Sequence, residues 1–458
     1  MEHTPITKLL LKLSPPVMLA LLIQSIYNIV DSYFIARYSD AGLTALSIIF
    51  PLQLLMTALA TGTGTGINIL ISRMDGEGKT DAQNRLVRSG LFLGLLNYLL
   101  FACIGLALVK PYYAVSSDQA LVRLQGVQYA RIIFLGAFGQ FIEANCTKIL
   151  QAKGNMMVPM IAQVTGAVIN VILDPILIFG LSGIPALGIS GAAFATVSGQ
   201  IVSMAITFFA VCRRHSLKGS GCVADCVRIY KAGFPSIVMQ SLYTLYIVGL
   251  NLILKQFTED AVTVLGIYYK LQTFFFIPLM GLQQVILPII SFNYGAAHDG
   301  RVKDTLKYST IASCSIMALA AAVFLLFPGQ LLSIFSSKKE LLQIGCHALR
   351  VISGSFIPAG IVMMFTVYFQ GINKGSASLF LTILRQVILL VPLAWLFHFI
   401  GLAYVWYTFV VTELIAMAAS LALYKMYART LSVPERASKT NGRIKRDENT
   451  NNEQNILI

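Results

Sequence analysis

Twelve stretches of this chain are almost wholly apolar and long enough, at about 20 residues or more, for one crossing of a bilayer. They cover residues 14–37, 43–71, 86–109, 129–151, 157–180, 186–212, 228–255, 262–292, 308–335, 348–371, 377–399 and 402–427. In lipid every backbone polar group must be satisfied within the protein, which leaves helices or a closed barrel. The alternating ten-residue pattern of a barrel is absent, so the spans are expected to be helices. Composition agrees. Of 458 residues, 56% are hydrophobic and 12% charged, against about 25% charged in soluble domains. So few charges cannot coat soluble domains of this size. Lys8 and Lys12 precede an apolar run too long for a signal peptide, and no small-residue cleavage pattern follows it. That run reads as the first span.

The net charge of +14 would suggest nucleic acid in a soluble protein. Here the basic residues serve first as topology signals. With the N-terminus inside, 25 of the 34 Lys and Arg fall on the cytoplasmic side. They include Arg73, Lys79, Arg85 and Arg88 after span 2, and Arg213, Arg214, Lys218, Arg228 and Lys231 after span 6. The expectation is a plasma (inner) membrane protein with both termini cytoplasmic and no nucleic-acid partner. The expected organisation is a cytoplasmic arm (1–13), an N-lobe (14–212), a linker (213–227), a C-lobe (228–427) and a tail (428–458). The tail is polar enough to be disordered and to rest on anionic lipid. Seven cysteines are scattered along the chain. Cys222 and Cys226, with His215, lack a fourth ligand for zinc.

The chain repeats itself. Shifted by 219 residues, Pro16 falls on Pro235, Tyr27 on Tyr246, Thr44 on Thr263 and Gln53 on Gln272. Gly62, Ile67, Ile71, Ser72 and Gly76 fall on Gly281, Ile286, Ile290, Ser291 and Gly295. Six spans per repeat is an even number. The halves therefore share an orientation and are related by an axis along the membrane normal. Two such bundles enclose a cavity, and rocking them against each other gives alternating access. A duplicated channel or scaffold is the other reading.

Intramembrane carboxylates are costly and usually face a cavity or a partner. Asp31 in span 1 and Asp174 in span 5 each stand six residues before the outer end, about 9 Å deep at 1.5 Å per residue. Tyr27 and Asn28 precede Asp31, and Asn170 precedes Asp174, at spacings that stack side chains on one helix face. Thr196 in span 6 reaches the depth of Asn170. Pro175 frees the carbonyl of Val171. Such a pocket suits a proton or a cation. The repeat puts Leu250 where Asp31 would be and Ile247 where Asn28 would be. Only one half kept the acid, which favours function over packing. Glu143 and Glu413 lie mid-span and could line the cavity or pair locally. Arg385 could neutralise Glu413 or snorkel to the surface. Lys270 could pair with Glu259 or Asp260.

Gly62 to Gly66, alternating with threonines, lacks the Lys-Ser/Thr ending of a phosphate loop and sits inside a span. Small residues there let helices pack closely. No HExxH set, nucleophile elbow or Walker motif is present, so the chain reads as a non-enzyme without ATP-driven chemistry.

These residues resemble a family. Pro16 to Asp31 (PVMLALLIQSIYNIVD) is similar to the first span of multidrug and toxic compound extrusion (MATE) transporters, in particular the DNA-damage-inducible-F-like branch. Asn170 to Pro175 (NVILDP) is similar to its Asn-x3-Asp-Pro signature, and GAAFAT (191–196), SFNYGA (291–296) and Arg385–Gln386 also resemble it. The resemblance implies an all-α protein of twelve transmembrane helices in two six-helix lobes. It implies efflux of amphipathic organic cations against H+ or Na+, without other cofactors and by a monomer. It places Tyr27, Asn28, Asp31, Asn170, Asp174 and Thr196 in the coupling site, with Na+ held, where used, by Asp31, Asn170 and Asp174. Gln24 would line the cavity, Pro16 would bend span 1, and Pro175, Glu143 and Glu413 are weaker cavity candidates. A carboxylate site in spans 7 and 10, used by another branch, has no counterpart here. Export of lipid-linked precursors or anionic metabolites, known in the wider superfamily, is the alternative.

Overall fold

The computed structural model describes residues 4–180, 185–216, 219 and 221–431. Among them the regular structure is helical throughout. The first half holds α1 (Ile6–Tyr38), α2 (Asp40–Gly76), α3 (Thr80–Ser116), α4 (Ala120–Gly136), α5 (Phe138–Ala152), α6 (Met157–Phe179) and α7 (Ile189–Arg214). The second half begins with α8 (Val223–Leu254), α9 (Glu259–Gly295), α10 (Asp299–Leu326) and the short α11 (Pro328–Ser333). It continues with α12 (Lys339–Ser353), α13 (Phe356–Gly371) and α14 (Gly375–Ile383), then a π-helical turn (Leu384–Leu389) and α15 (Leu390–His398). It ends with α16 (Leu402–Val405) and α17 (Tyr407–Leu431). The tail expected to be disordered lies outside the described residues from 432 onward.

Ten helical segments are long and apolar enough to cross a membrane, and the pair α12–α13, bent by 48°, makes an eleventh. The expected fourth span is the pair α4–α5. It is the image of α12–α13 displaced by 219 residues: Ala120 falls on Lys339 and Ala152 on Gly371. Arg123, Arg131, Glu143 and Lys148 dilute its apolar run, so hydropathy alone undercounts it.

Helix α1 starts at Ile6, well before the expected span. Residues 6–13 form about two amphipathic turns of α1. Ile6, Leu9, Leu10 and Leu13 are buried in the C-lobe core, whereas Lys8 and Lys12 are exposed. That is the i, i+3, i+4, i+7 stripe of a helix docked on one side. The first helix of the other repeat does the same in mirror role: Ile229 of α8 is buried in an N-lobe cluster with Ile67, Leu86 and Ile149.

The lobes meet on the membrane side that carries the start of α1 and the α7–α8 connection, here called the basic side. Glycines make the meeting possible. A Cβ on Gly233 of α8 would stand 2.5 Å from the Gly62 carbonyl oxygen of α2, and one on Gly66 would stand 2.8 Å from the Gly233 nitrogen. In the second repeat, Gly281 of α9 presses likewise on Met18 of α1. Gly76 abuts the Phe292 carbonyl, and Gly295 abuts the Arg73 carbonyl. Gly295 and Phe292 are the 219-residue images of Gly76 and Arg73. One contact thus occurs twice with its roles exchanged, which locates the pseudo-two-fold axis between α2 and α9.

Polar ties reinforce the seam. Thr61 Oγ1 donates to Gln240 Oε1 at 2.8 Å. Arg85 Nε donates to Asp225 Oδ2 at 2.7 Å, and Arg301 Nη2 to the Thr4 carbonyl at 2.7 Å. Lys148 Nζ and Gln151 Nε2 both reach Gln284 Oε1 at 3.2 Å. By contrast the N-lobe core away from that side, from Ile35 and Ile49 to Phe134 and Val197, contains no C-lobe residue among the described residues. The glycine contacts and polar ties between the lobes thus gather toward the basic side.

Inside the N-lobe, α6 and α7 also pack backbone to backbone. A Cβ on Gly199 would lie 2.5 Å from the Gly166 carbonyl oxygen, and one on Gly166 would lie 2.6 Å from the Gly199 carbonyl oxygen.

Two outcomes are expected. Gly66→Val places methyls against the backbone of α8, an overpacking cost of about 1–3 kcal/mol, which shifts a two-state equilibrium about 5–150-fold. Spin labels at the exposed Lys79 and Lys303 would then report a longer distance across the basic side; an unchanged distribution would refute this account of closure. Gly199→Val separates α6 from α7 and lowers stability by about 1–3 kcal/mol. Thermal unfolding of the purified protein checks it, and a wild-type Tm would contradict the packing described.

Candidate functional site

The close α6–α7 crossing sets the neighbourhood of the N-lobe acids. One turn beyond Gly166, Asn170 Nδ2 donates to Thr196 Oγ1 of α7 at 3.4 Å. One turn further stands Asp174, which is fully buried, while Asp31 on the adjoining α1 is 9% exposed. Their carboxyl groups lie within hydrogen-bonding reach of each other. Neither forms an ion pair with a Lys or Arg among the described residues. Asp31 Oδ1, both Asp174 oxygens and Asn170 Oδ1 are buried without a hydrogen-bond donor. Four oxygens of three residues thus converge without a counter-charge. Leaving a charged carboxylate unpaired inside a protein costs several kcal/mol. A proton, a cation or a donor must complete the set.

The structure brings Tyr27 close to Asp31, Asp174 and Glu143. It also adds a residue that the sequence reading missed. Tyr129 of α4 is buried, hydrogen-bonds Gln53 of α2 and stands near Asp31 and Tyr27. The one hint in the sequence was Gln53, which recurs in the repeat as Gln272.

Asn28 is placed differently from its expected neighbours. It is exposed, and its Nδ2 donates to the Gln24 carbonyl at 2.8 Å. Gln24 and Asn28 therefore form a polar stripe beside the acids and do not join them. Helix α1 runs unbroken through Pro16, and α6 runs unbroken through Pro175 to a left-handed cap at Gly180 with φ 78°. Glu143 accepts from Thr147 Oγ1 at 2.7 Å and is hydrogen-bonded to Gln163. Glu413 lies in the other lobe and is paired with Arg385, so Arg385 does not snorkel. Lys270 lies over the Phe335 ring at 5.9 Å, and Asp260 pairs instead with Lys338 at 2.7 Å. Lys338 reaches back from the loop before α12, a contact that local spacing could not show.

Lys148 is a second omission. Its ammonium is held by the neutral oxygens of Gln151 and Gln284 at 3.0 and 3.2 Å. On the basic side His215 Nδ1 bonds Asn84 Oδ1 at 3.1 Å, and Cys226 Sγ points to the Ser89 carbonyl. Burial, with Lys153 and Arg214 nearby, pushes the His215 pKa down. Among the described residues no three His, Cys, Asp or Glu side chains are grouped to hold a metal.

The family model MatE matches residues 16–176 and again 235–396, once in each repeat. The chain is 26% identical over 442 residues to the multidrug export protein MepA of Staphylococcus aureus, covering 93% of this chain and 96% of that one. It is 24% identical over 398 residues to the FAD transporter of Shewanella oneidensis, covering 85% and 88%. Among solved structures, an outward-facing multidrug resistance MATE family transporter of the MOP superfamily superposes with a TM-score of 0.87 at 25% identity. That match covers 94% of this chain and 97% of the other. A mutant of the MATE transporter VcmN from Vibrio cholerae gives 0.88 at 23% identity and covers 93% and 97%, a likeness of fold. The matching residues fall on the two bundles joined by the glycine seam, the first of which holds the buried acid pair, and the relatives are transporters: the chain belongs to the MATE family of membrane transporters.

Proposed function

We propose that this protein is a secondary active antiporter that exports amphipathic organic cations in exchange for H+ or Na+. The observation that carries this reading is the pair Asp31–Asp174, buried side by side with no basic partner among the described residues. Two carboxylates this close share a proton or a cation between them, because like charges in a site of low dielectric cannot both stand bare. When the site is loaded, the N-lobe loses its attraction for a cationic substrate. When it empties, the negative charge returns. Each ligand weakens the other, and that reciprocity is what exchange requires. Asn170 and Thr196 hold the far edge of the site, Tyr27 its near edge, and Gln24 and Asn28 the wall of the chamber.

On this reading the protein sits in the plasma membrane as a monomer with both termini cytoplasmic. The glycine seam is then its cytoplasmic gate, and the resemblance to an outward-facing structure supports that assignment. A second reading, export of anionic metabolites, draws on the relative named FAD transporter. It also draws on Lys148, an ammonium in the lobe interface held only by amide oxygens among the described residues.

Everted vesicles test both readings. Under an imposed proton gradient or sodium gradient, the wild type is expected to move a cationic dye such as ethidium. Asp31→Asn and Asp174→Asn are expected to lose about tenfold or more while inserting normally. The driving gradient names the ion. Variants that transport like the wild type would sink the site assignment. Flavin uptake without dye uptake by the wild type would favour the anionic reading.

A further inference from the structure

The C-lobe holds a buried charged centre that the coupling reading leaves unused. Arg385, on the π-helical turn, donates through Nε to Glu413 of α17, which is 7% exposed. Among the described residues this is the one hydrogen bond Arg385 makes, so its two terminal amino groups remain for the cavity that the pair lines. That cavity has a volume of about 30 Å³. Three acceptor oxygens of the same lining lack a donor: Glu413 Oε2, Gln272 Oε1 and Gln386 Oε1. Rings of Tyr246 and Phe409 stand in the wall.

The position is not arbitrary. Tyr246 and Gln272 are the 219-residue images of Tyr27 and Gln53, which flank the N-lobe acids. The two repeats therefore keep a polar centre at the same place in the fold. One is a bare acid pair and the other an internally neutralised pair. A π turn is rare and tends to occur at functional sites. Here it carries both Arg385 and Gln386 into the lining.

The unmet groups define the ligand. A simple cation would meet the guanidinium, and a simple anion would add a second negative charge beside Glu413 in a buried site. A ligand that carries both charges close together meets every group. Its carboxylate takes the terminal amino groups of Arg385 in a bidentate contact. Its protonated amine takes the oxygens of Glu413, Gln272 and Gln386, and the site stays neutral. A cavity of this volume holds two groups of about water size, which are the two charged ends; the rest of the ligand lies outside it, with the rings of Tyr246 and Phe409 at the wall as its nearest aromatic surface. We propose that this C-lobe pocket binds the zwitterionic end, a carboxylate beside a protonated amine, of an aromatic ligand distinct from the cations exchanged at the N-lobe. The proposal does not use the N-lobe acids, and its test needs no ion gradient, so it stands or falls apart from the antiport reading.

The test is equilibrium binding to the full chain in lipid nanodiscs, with tritiated L-tryptophan as the probe and tryptamine and indole-3-acetate as competitors. Saturable binding of tryptophan is expected, with each singly charged competitor at least tenfold weaker. Arg385→Gln and Glu413→Gln are each expected to weaken binding at least tenfold. Because removing one partner strands the other charge and can unfold the lobe, the double variant Arg385→Met/Glu413→Leu is tested beside them. It is expected to keep the wild-type Tm and lose binding. No saturable tryptophan binding by the wild type, equal binding of a singly charged analogue, or full binding by the double variant would each overturn the proposal.

Discussion

Between two helix bundles in lipid there is no hydrophobic drive to associate, because the surrounding tails are as apolar as the side chains. Closure of this chamber must therefore rest on contact at short range. Gly62, Gly66 and Gly233 provide it on one diagonal, and Gly281 against Met18 on the other. Where the axis passes, Gly76 and Gly295 bring α2 and α9 together at backbone distance. Dispersion falls off steeply with separation, so these seams hold or release as units and do not yield gradually. The ties around them, from Arg85 to Asp225 and from Arg301 to the Thr4 carbonyl, add direction: they fix which side closes.

The same device builds the polar pocket. Gly166 and Gly199 let α6 approach α7 closely enough for Asn170 to reach Thr196. The acids follow from helix geometry one turn on. A carboxyl pair without a counter-charge would be intolerable on mobile elements, since it would swing toward any donor. Held between close-packed helices, it keeps its oxygens unmet.

Most of the fold was legible in the sequence, because apolar runs and repeated residues are one-dimensional signals. The exceptions have physical causes. Residues 6–13 carry two lysines among their leucines, and where their apolar face docks is visible only once α9 and α10 lie beneath it. The fourth crossing carries four charges and reads as weak until its image, α12–α13, is placed beside it. At the acid pocket, Tyr27 and Asn28 both looked aligned with Asp31. At about 100° per residue, i−4 lies about 40° to one side of Asp31 and i−3 about 60° to the other. The first turns toward the neighbouring acids, and the second stays exposed. Tyr129 and Lys148 were missed because the side chains they hydrogen-bond lie on other helices or across the lobe seam, apart from Gln151, and spacing along one helix cannot reveal that.

Duplication explains why the acids sit in one lobe. A symmetric pair of acidic lobes would load two ions at equivalent depth and add repulsion across the chamber. Here the second repeat replaced the acid position with Leu250 and built Arg385–Glu413 nearby. On the proposed reading the charge of the N-lobe changes with its bound ion while the C-lobe remains neutral. On that reading the N-lobe alone registers the ion, and the seam of glycines, shared by both lobes, is where the difference biases opening. Coupling in such a molecule does not need a wire between the sites. It needs an ion that binds one closure of the seam better than the other, and a rigid N-lobe in which the acids cannot move without α1, whose first turns are buried in the opposite lobe.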